Sequence, residues 1–292
     1  MKLHSIFLCL FIFCSYLACK ETKDKLLDMS NVIAWCIVPF DSMHRTPEER
    51  ILMLKELGIQ RYAYDWREKH LPEMMKEWGL ARDNHIQIDG VWLWLGARSD
   101  TLGKLSPSNE LLMHYLDSAK LKTSAWLSFN NNYFEGLNDS AKLDKAIHII
   151  GYLADRLKAM GCKLMLYNHG DWFGLPTNQV RIIKALPGKD IGMVYSFHHV
   201  HAQLDRFTSY VDTMLPYLTV VNLNGMKKEG PQILPLNTGN RELEMIRYLV
   251  DKGYHGPWGI LGHVDTADVK TILEGNLKGL KEILNSLPDS NK

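Results

Sequence analysis

Short apolar runs alternate with amphipathic segments along most of the chain. Each apolar run has the composition of a strand buried on both faces, which is typical of a parallel sheet covered by helices. The amphipathic segments repeat apolar residues at helical spacing, as Ile51, Leu54 and Leu57 do. The stretch from Thr46 to Glu49 is a capping box with proline at the first helical position, so a helix begins there. The alternation predicts an α/β fold.

The number of strand–helix units narrows the fold to a (β/α)8 TIM barrel. Eight units fill a region of the size expected for that barrel, which takes about 250 residues. An open, doubly wound sheet would also alternate, but it usually carries a Gly-rich phosphate loop after its first strand, and Val38-Pro39-Phe40-Asp41 is not one. No linker divides the region, so residues 32–287 are predicted to form a single domain. The predicted strands are residues 32–38, 61–64, 90–95, 124–129, 163–167, 192–195, 218–223 and 259–261.

The first residues have the pattern of an export signal rather than of a folded domain. Lys2 precedes an apolar run from Ile6 to Leu17, which is too short to span a bilayer comfortably. Residues 1–18 are therefore predicted to be a signal peptide and residues 19–31 a polar tether. Leu17-Ala18-Cys19 resembles the end of a bacterial lipobox, in which the cysteine is lipidated. The expected location is the periplasm or cell envelope, with membrane attachment only through this N-terminal lipid.

Charge and cysteine content exclude several classes of protein. The 292 residues include 34 Lys and Arg against 33 Asp and Glu, a formal net charge of +1. This balance gives no reason to expect nucleic acid as a partner. Outside the predicted leader and its cleavage point the only cysteines are Cys36 and Cys162, so a disulfide framework is not expected. Both are predicted to be small buried hydrophobic residues.

Polar side chains follow several of the predicted strands. The active site of a TIM barrel lies at the carboxyl ends of its strands, so these residues are the candidates for binding and catalysis. Amides match the hydroxyl groups of a polyhydroxylated ligand, and indoles such as Trp66, Trp92 and Trp94 stack on sugar rings or pack in the barrel core. The partner is therefore predicted to be a small-molecule sugar or keto-sugar. The candidates for substrate binding are Asp65, Arg67, Tyr167, Asn168, Trp172, His198, Asn222, Asn224 and Lys227.

Three histidines follow three different predicted strands and suggest two kinds of chemistry. His169, His199 and His263 could together hold a divalent metal with an open coordination position, and imidazole ligands favour zinc or another transition ion. An imidazole could instead move a proton on a carbon beside a carbonyl. Asp171 and Asp265 each lie two residues beyond such a histidine and could orient it or help bind a metal. The candidate catalytic residues are His169, His199 and Asp171.

The chain resembles the sugar isomerase/epimerase superfamily, which has the xylose-isomerase-like TIM barrel and also includes DNA-repair enzymes of the endonuclease IV type. The resemblance covers about residues 32–285. It is greatest to bacterial proteins described as sugar phosphate isomerases or epimerases, whose relatives include lyases of 3-keto-glycosides. It is carried by Met53-Leu54-Lys55-Glu56-Leu57-Gly58-Ile59, Tyr167-Asn168-His169, Met193-Val194-Tyr195-Ser196-Phe197-His198-His199, Val221-Asn222-Leu223-Asn224, Leu234-Pro235-Leu236-Asn237-Thr238-Gly239 and Gly256-Pro257-Trp258-Gly259-Ile260-Leu261.

The resemblance implies a metal site whose usual ligands are missing from this sequence. Isomerases of the superfamily bind a divalent metal through carboxylates that end the fifth, sixth and eighth strands and a histidine on the seventh. The matching positions hold Tyr167, Ser196, Asn222 or Asn224, and Gly262. His199 matches a histidine that touches substrate in the superfamily. The protein therefore has a metal site built from other residues, works without metal, or only binds a sugar.

Two functional hypotheses follow. The first is an exported carbohydrate enzyme that moves a proton next to a sugar carbonyl, as an isomerase, an epimerase or a lyase of 3-keto-glycosides. His169 or His199 would be the base, and the other an acid or a metal ligand. Export favours an unphosphorylated substrate. The alternative is a non-catalytic sugar-binding lipoprotein on the same barrel.

Overall fold

The computed structural model describes residues 28–287 and shows a closed barrel of eight parallel strands in chain order. The predicted TIM barrel is therefore confirmed. The predicted signal peptide and most of the predicted tether lie outside the described residues. The strands are β1 (Val32–Trp35), β2 (Arg61–Tyr64), β3 (Gln87–Leu95), β4 (Ser124–Phe129), β5 (Lys163–Tyr167), β6 (Ile191–Ser196), β7 (Leu218–Leu223) and β8 (Trp258–Leu261).

The helices lie between the strands and cover the outside of the barrel. The first begins at the predicted capping box, where Thr46 accepts a hydrogen bond from the backbone N–H of Glu49 and Glu49 accepts one from Thr46 in return. The α-helices are α1 (Pro47–Glu56), α2 (Leu71–Asp83), α3 (Pro107–Ala119), α4 (Asp139–Ala159), α5 (Pro176–Ala185), α6 (Phe207–Met214), α7 (Glu242–Asp251) and α8 (Val269–Ser286). No helix among residues 28–287 is long and apolar enough to cross a membrane.

Large aromatic side chains fill the inside of the barrel below its mouth. Trp35, Trp126 and Tyr167 are almost completely buried and pack against one another there. Gly90 on β3 makes room for the Trp126 indole, since a Cβ at this position would lie 2.3 Å from its ring. The aromatic packing forms a solid floor, so a ligand reaches only the carboxyl ends of the strands.

Two strands, both next to the site, end at residues other than those predicted, while β3, β6 and β8 begin one to three residues earlier than predicted. The first strand ends at Trp35 rather than at Val38 because Cys36 adopts a positive φ of 58°, which ends the extended backbone. The sixth strand continues to Ser196 and leads into a 3-10 segment, Phe197–Arg206, that is kinked at Val200. The histidines after β6 therefore lie on a compact turn rather than on an open loop.

The barrel begins a few residues before the predicted domain boundary. Met29–Asn31 form a 3-10 turn, and Met29 packs against the core. Arg61 donates a hydrogen bond to the carbonyl of Ser30 at 3.1 Å, and the Asn31 amide donates to the carbonyl of Gly256 at 3.1 Å. The predicted tether, residues 19–31, therefore ends before Met29. Cys36 and Cys162 are buried free thiols, as predicted.

Candidate active site

Four imidazoles form a row across the mouth of the barrel. The ring centroids of His169 and His199 are 4.4 Å apart, and those of His199 and His198 are 3.8 Å apart. His263 lies 6.2 Å from His198 and stacks on Phe40 at 3.7 Å. Of the three histidines predicted to converge, His169 and His199 lie side by side. His263 stands at the far end of the row, with His198 in between.

Hydrogen bonds fix the two central imidazoles from below. The Tyr167 hydroxyl lies 2.9 Å from Nε2 of His199 and accepts a hydrogen bond from the Trp35 indole at 3.3 Å. The Ser196 hydroxyl lies 3.0 Å from Nδ1 of His198. An indole N–H is only a donor, so the contact with Trp35 favours a hydroxyl proton pointing from Tyr167 to Nε2 of His199. Neutral His199 then carries its proton on Nδ1.

All four imidazoles are neutral at pH 7. Burial, together with the nearby charge of Arg67, lowers the pKa of His169 to about 4, while Asp171 opposes the shift. Burial also lowers the pKa of His198 to about 3. Burial also lowers the pKa values of His199 and His263. A neutral imidazole can accept a proton at one nitrogen and donate one from the other.

His169 stands at the opposite end of the row from His263 and is partly buried. It follows the end of β5, and Gly170 after it has a φ of 92°, a backbone conformation that few residues other than glycine adopt. Its ring meets that of Trp94 edge-on at 5.0 Å. Its Nδ1 atom is buried and has no hydrogen-bond partner among the described residues. Asp171 is exposed on the adjacent turn and acts on His169 through its charge.

Arg67 supplies a positive charge at the mouth. Its guanidinium lies 4.6 Å above the Trp92 ring and 5.3 Å from the Phe40 ring. Its Nη1 atom donates to the carbonyl oxygens of Asp65 and Trp66, each at 2.9 Å. Stacking and backbone hydrogen bonds therefore hold the side chain in place without a carboxylate partner within 4.0 Å among the described residues.

Asp65 lies below Arg67, at the end of β2, and is completely buried. One of its oxygens accepts a hydrogen bond from the backbone N–H of Val38 at 3.2 Å, and the other has no partner in the described chain. Burial raises the pKa of this carboxyl to about 7, against the lowering effect of Arg67. Asp65 is thus beneath the mouth rather than on its surface, and substrate binding by its side chain remains a prediction.

Two cavities open near His169, one lined by His169 itself and one lined by its neighbour Trp94. The smaller, about 390 Å³, is polar and includes His169 in its wall, together with Asp171 and Trp172. The larger, about 720 Å³, lies toward β2 and β3 and is bordered by three indoles and Arg67. The polar cavity is further lined by Asn130, Asn131, Asn132, Glu135 and Lys142, and the aromatic cavity by Trp66, Trp92, Trp94, Ser106 and Ser108.

Several predicted substrate contacts have structural roles instead. The Asn168 amide donates to the carbonyl of Ser196 at 3.1 Å and accepts from its N–H at 2.7 Å, so its polar atoms join β5 to β6 and are not free for a ligand. The Asn224 amide nitrogen donates to the carbonyls of Gly225 and Gln232. The predicted role of Asn168 in substrate binding is therefore corrected. For Asn224 the correction applies to the amide nitrogen, which is already bonded within the protein.

The remaining predicted contacts divide between cavity and interior. Trp172 lines the polar cavity and donates from its indole to Asp139 at 2.8 Å. Lys227 lies on an exposed loop after β7, where its backbone carbonyl meets His201. Asn222 is completely buried, and neither polar atom of its amide has a partner among residues 28–287. Binding by Trp172, Asn222 and Lys227 remains a prediction.

Comparisons with known proteins agree with the barrel. Neither a family profile nor a curated protein matches the sequence. The structure matches D-psicose 3-epimerase in the presence of D-fructose, with a TM-score of 0.64 and 13% identity over 86% of this chain and 97% of that one. The chain has the xylose-isomerase-like barrel fold. At this identity the likeness extends to the fold alone.

Two further solved structures share this xylose-isomerase-like barrel. The apo form of 3-keto-D-glucoside 4-epimerase, YcjR, from E. coli matches with a TM-score of 0.64 and 11% identity over 87% of this chain and 99% of that one. The IolI protein with a bound zinc atom matches with a TM-score of 0.64 and 11% identity, over 88% of this chain and 99% of that one. Sugar epimerases and a zinc-bound protein are thus among the structural neighbours.

The described residues do not fit the metal that the superfamily resemblance implies. No group of three or more His, Cys, Asp or Glu side chains between residues 28 and 287 is placed to hold an ion. The predicted set of His169, His199 and His263 is therefore corrected, because His198 separates His263 from the pair and Tyr167 occupies Nε2 of His199. At Gly262 a side chain has no space, since a Cβ would lie 2.6 Å from Val269 and 2.9 Å from the Cys36 carbonyl.

Three features of the site were not predicted from the sequence. Tyr167 acts as a hydrogen-bond partner of His199, and His198 stands within the imidazole row. Trp94 lies against His169 and lines the aromatic cavity. The position of Trp94 could have been predicted, because side chains alternate along a strand. Trp92 and Trp94 are two residues apart on β3 and project to the same side of it.

Proposed function

We propose that this protein is a carbohydrate enzyme that moves a proton on the carbon next to a sugar carbonyl. The observation that carries the proposal is the pair of neutral imidazoles, His169 and His199, whose ring centroids are 4.4 Å apart beside the polar cavity that His169 lines. Sugar epimerases among the structural neighbours support this class of reaction. Isomerisation, epimerisation and β-elimination of a keto-glycoside share an enediolate-like intermediate, so one site can serve each of them.

His169 is the proposed base. Its imidazole is neutral because burial keeps its pKa at about 4, and it borders the polar cavity directly. An imidazole with a low pKa is a weak base in the free protein. The negative charge that develops on the substrate during proton transfer raises the proton affinity of His169 in the same step, and Asp171 acts in the same direction.

His199 is the proposed acid. The Tyr167 hydroxyl holds Nε2 at 2.9 Å, which leaves Nδ1–H as the donor. Burial raises the pKa of Tyr167 well above its ordinary value, so the hydroxyl stays protonated and keeps this tautomer. A donor on His199 next to the base on His169 allows a proton to be removed from one atom while another is delivered nearby.

The cavities suit a sugar. Amide and charged groups in the polar cavity match hydroxyl groups, and Trp172 offers an aromatic face there. The indoles of the aromatic cavity provide flat apolar surfaces near His169. The export signal predicted from the sequence favours an unphosphorylated substrate. We therefore expect a neutral sugar or keto-sugar to bind across His169.

The test is exchange of the substrate C–H proton with solvent. A panel of keto-sugars and 3-keto-glycosides is incubated with the protein in deuterium oxide and followed by proton NMR. We expect loss of the signal from the carbon next to the carbonyl with the native protein and not with His169→Ala. His201→Ala is the matched control, because His201 contacts the Lys227 carbonyl outside the imidazole row. The proposal fails if the native protein exchanges no proton in any member of the panel.

A non-catalytic sugar-binding protein is the second candidate. It is favoured by the strong lowering of the imidazole pKa values, which makes each ring a poor base. Calorimetry on the same panel separates the two. Binding of a sugar without proton exchange supports the binding protein, whereas exchange that His169→Ala abolishes supports the enzyme.

A further inference from the structure

Arg67 is held rigidly at the edge of the imidazole row. It follows β2, and its guanidinium lies 4.6 Å above Trp92, whose ring centroid is 6.2 Å from that of His169. Only Nη1 makes hydrogen bonds among the described residues, both to backbone carbonyls at 2.9 Å. The Nε and Nη2 donors of the Arg67 guanidinium remain available to a ligand. The side chain is therefore preorganised, with unused donors.

The charge on Arg67 is not neutralised by an ion pair in the described part of the chain. Its influence reaches the base, since Arg67 lowers the pKa of His169, and it also lowers the pKa of His263 at the other end of the row. Asp65 is the carboxyl group below it, and burial raises the pKa of that carboxyl to about 7. A cation without an ion-pair partner attracts an anion, and the neutral rings beside Arg67 offer no competing negative charge.

Removal of a proton next to a carbonyl creates such an anion. The C–H bond breaks, its electron pair forms a C=C bond, and the carbonyl oxygen becomes an enediolate oxygen. A fixed cation near that oxygen lowers the barrier. Tyr167, Ser196 and Gly262 stand where the superfamily resemblance places metal-binding carboxylates, and the residues present do not fit a metal. A group other than a metal must therefore stabilise the negative charge of the enediolate.

We propose that Arg67 forms an oxyanion site that takes the place of the divalent metal in stabilising the enediolate. The proton goes to His169 and the guanidinium holds the oxygen. Return of the proton from His169, or delivery of a proton by the proposed acid His199, then completes the reaction without another reactant. This inference rests on the proposed function. It assigns the site a ligand class: planar oxyanions attached to a polyhydroxylated chain.

Binding of a stable anion tests the site without turnover. Calorimetry compares D-gluconate, whose carboxylate mimics the enediolate, with D-glucitol, which has the same carbon chain and no charge. We expect the native protein to prefer gluconate by about 10- to 100-fold, the range for a hydrogen bond to a charged group. Arg67→Gln should remove the preference, and Arg67→Lys should keep part of it. Arg206→Gln is the matched control, since Arg206 stacks 5.0 Å from Tyr210 on the outside of the barrel.

Two further measurements make the inference falsifiable. The His169 imidazole signal in NMR titrations should shift to a higher pKa in Arg67→Gln, because Arg67 lowers that pKa in the native protein. Proton exchange should persist after dialysis against a chelator, with metal content checked by mass spectrometry.

Equal affinity for gluconate and glucitol would overturn the oxyanion site while leaving the sugar site intact. Exchange that a chelator abolishes and zinc restores would overturn the replacement of the metal. If neither gluconate nor glucitol binds and no sugar exchanges a proton, the proposed function itself fails.

Discussion

The Tyr167 hydroxyl lies 2.9 Å from Nε2 of His199, and this contact links the end of β5 to the turn after β6. Tyr167 stands at a position where the superfamily resemblance places a metal-binding carboxylate. A buried hydroxyl cannot supply the negative charge that a metal needs. It can instead fix the tautomer of a neighbouring imidazole, which is a requirement for acid–base chemistry without a metal.

Tyr167→Phe should reduce proton exchange while leaving the fold intact. The substitution removes the hydrogen bonds of Tyr167 to His199 and to the Trp35 indole. Loss of the first, about 1 kcal/mol, frees His199 to rotate or change tautomer, so we expect a loss of about fivefold to tenfold in exchange rate. NMR exchange rates measure the effect, and circular dichroism checks the fold. Tyr195→Phe is a suitable control, because the Tyr195 hydroxyl is buried without a partner among the described residues. Undiminished exchange in Tyr167→Phe would contradict the assigned role.

The acid limb of the pH–rate profile should lie far below the ordinary pKa of histidine. His169 must be neutral to act as a base, and burial lowers its pKa from 6.5 to about 4. Activity is therefore present above about pH 4 and is lost as the pH falls through that value. Asp171→Asn should move the limb to still lower pH, because Asp171 raises this pKa. An acid limb near 6.5 in kcat/KM would show that another group is the base.

Asn168→Ala should destabilise the protein rather than weaken sugar binding directly. The amide satisfies both the N–H and the carbonyl of Ser196, at 2.7 and 3.1 Å, in a fully buried place. Its loss leaves these groups unpaired, and we expect a decrease of about 1–3 kcal/mol in the free energy of unfolding. Urea denaturation provides the measurement. Ser196→Ala keeps both backbone bonds and should be less damaging, so equal losses in the two variants would refute this role for Asn168.

The sequence was sufficient to predict the fold because local patterns and long-range packing agree. The apolar runs of β2, β4, β5 and β7 have the predicted bounds, and the capping box at Thr46 begins α1 as expected. The strand–helix alternation also placed the candidate site at the carboxyl ends of the strands. The predicted strand ends are wrong where backbone geometry rather than hydrophobicity sets the end of a strand. Cys36 is an example, because its positive φ ends β1 early.

The site itself could be predicted only as a set of residues at one rim. Sequence spacing gives the strand that carries each histidine but not the direction of its ring. His198 therefore stands between His199 and His263, although His169, His199 and His263 were predicted to converge on a metal. Hydrogen bonds between strands, such as that of Tyr167 with His199 and that of Ser196 with Asn168, depend on side-chain rotamers. The sequence of a single strand does not specify these rotamers.

We propose that the chain is exported and lipidated at Cys19, which lies outside the described residues. The apolar run before Cys19 predicts cleavage and a thioether-linked lipid at this residue. Cys19→Ser should move the protein from the membrane fraction to the soluble fraction, or leave an unprocessed form of higher mass. Cell fractionation and intact-mass spectrometry detect either result. Cys162→Ser is the control, since Cys162 is buried in the barrel. Unchanged membrane attachment of Cys19→Ser would rule out lipidation there.

Arg50 and Glu77 form a buried ion pair between α1 and α2, with Nη1 and the carboxylate 2.5 Å apart. The Tyr62 hydroxyl donates to the second carboxylate oxygen at 3.3 Å. Burial raises the pKa of Glu77 to about 7 even though Arg50 lowers it, so the carboxylate depends on its partner to stay charged.

Arg50→Met leaves Glu77 buried without its cation, and we expect the free energy of unfolding to fall by about 3–5 kcal/mol at alkaline pH, where the carboxyl is charged. Without Arg50 the pKa of Glu77 rises above its native value of about 7, so the loss should shrink as the pH falls toward 7 and the carboxyl protonates. The double variant Arg50→Met/Glu77→Leu should regain most of the stability, because it removes the uncompensated charge. Guanidinium denaturation at several pH values measures all three effects. A double variant as unstable as Arg50→Met would mean that packing at this contact, rather than the buried charge, sets the cost.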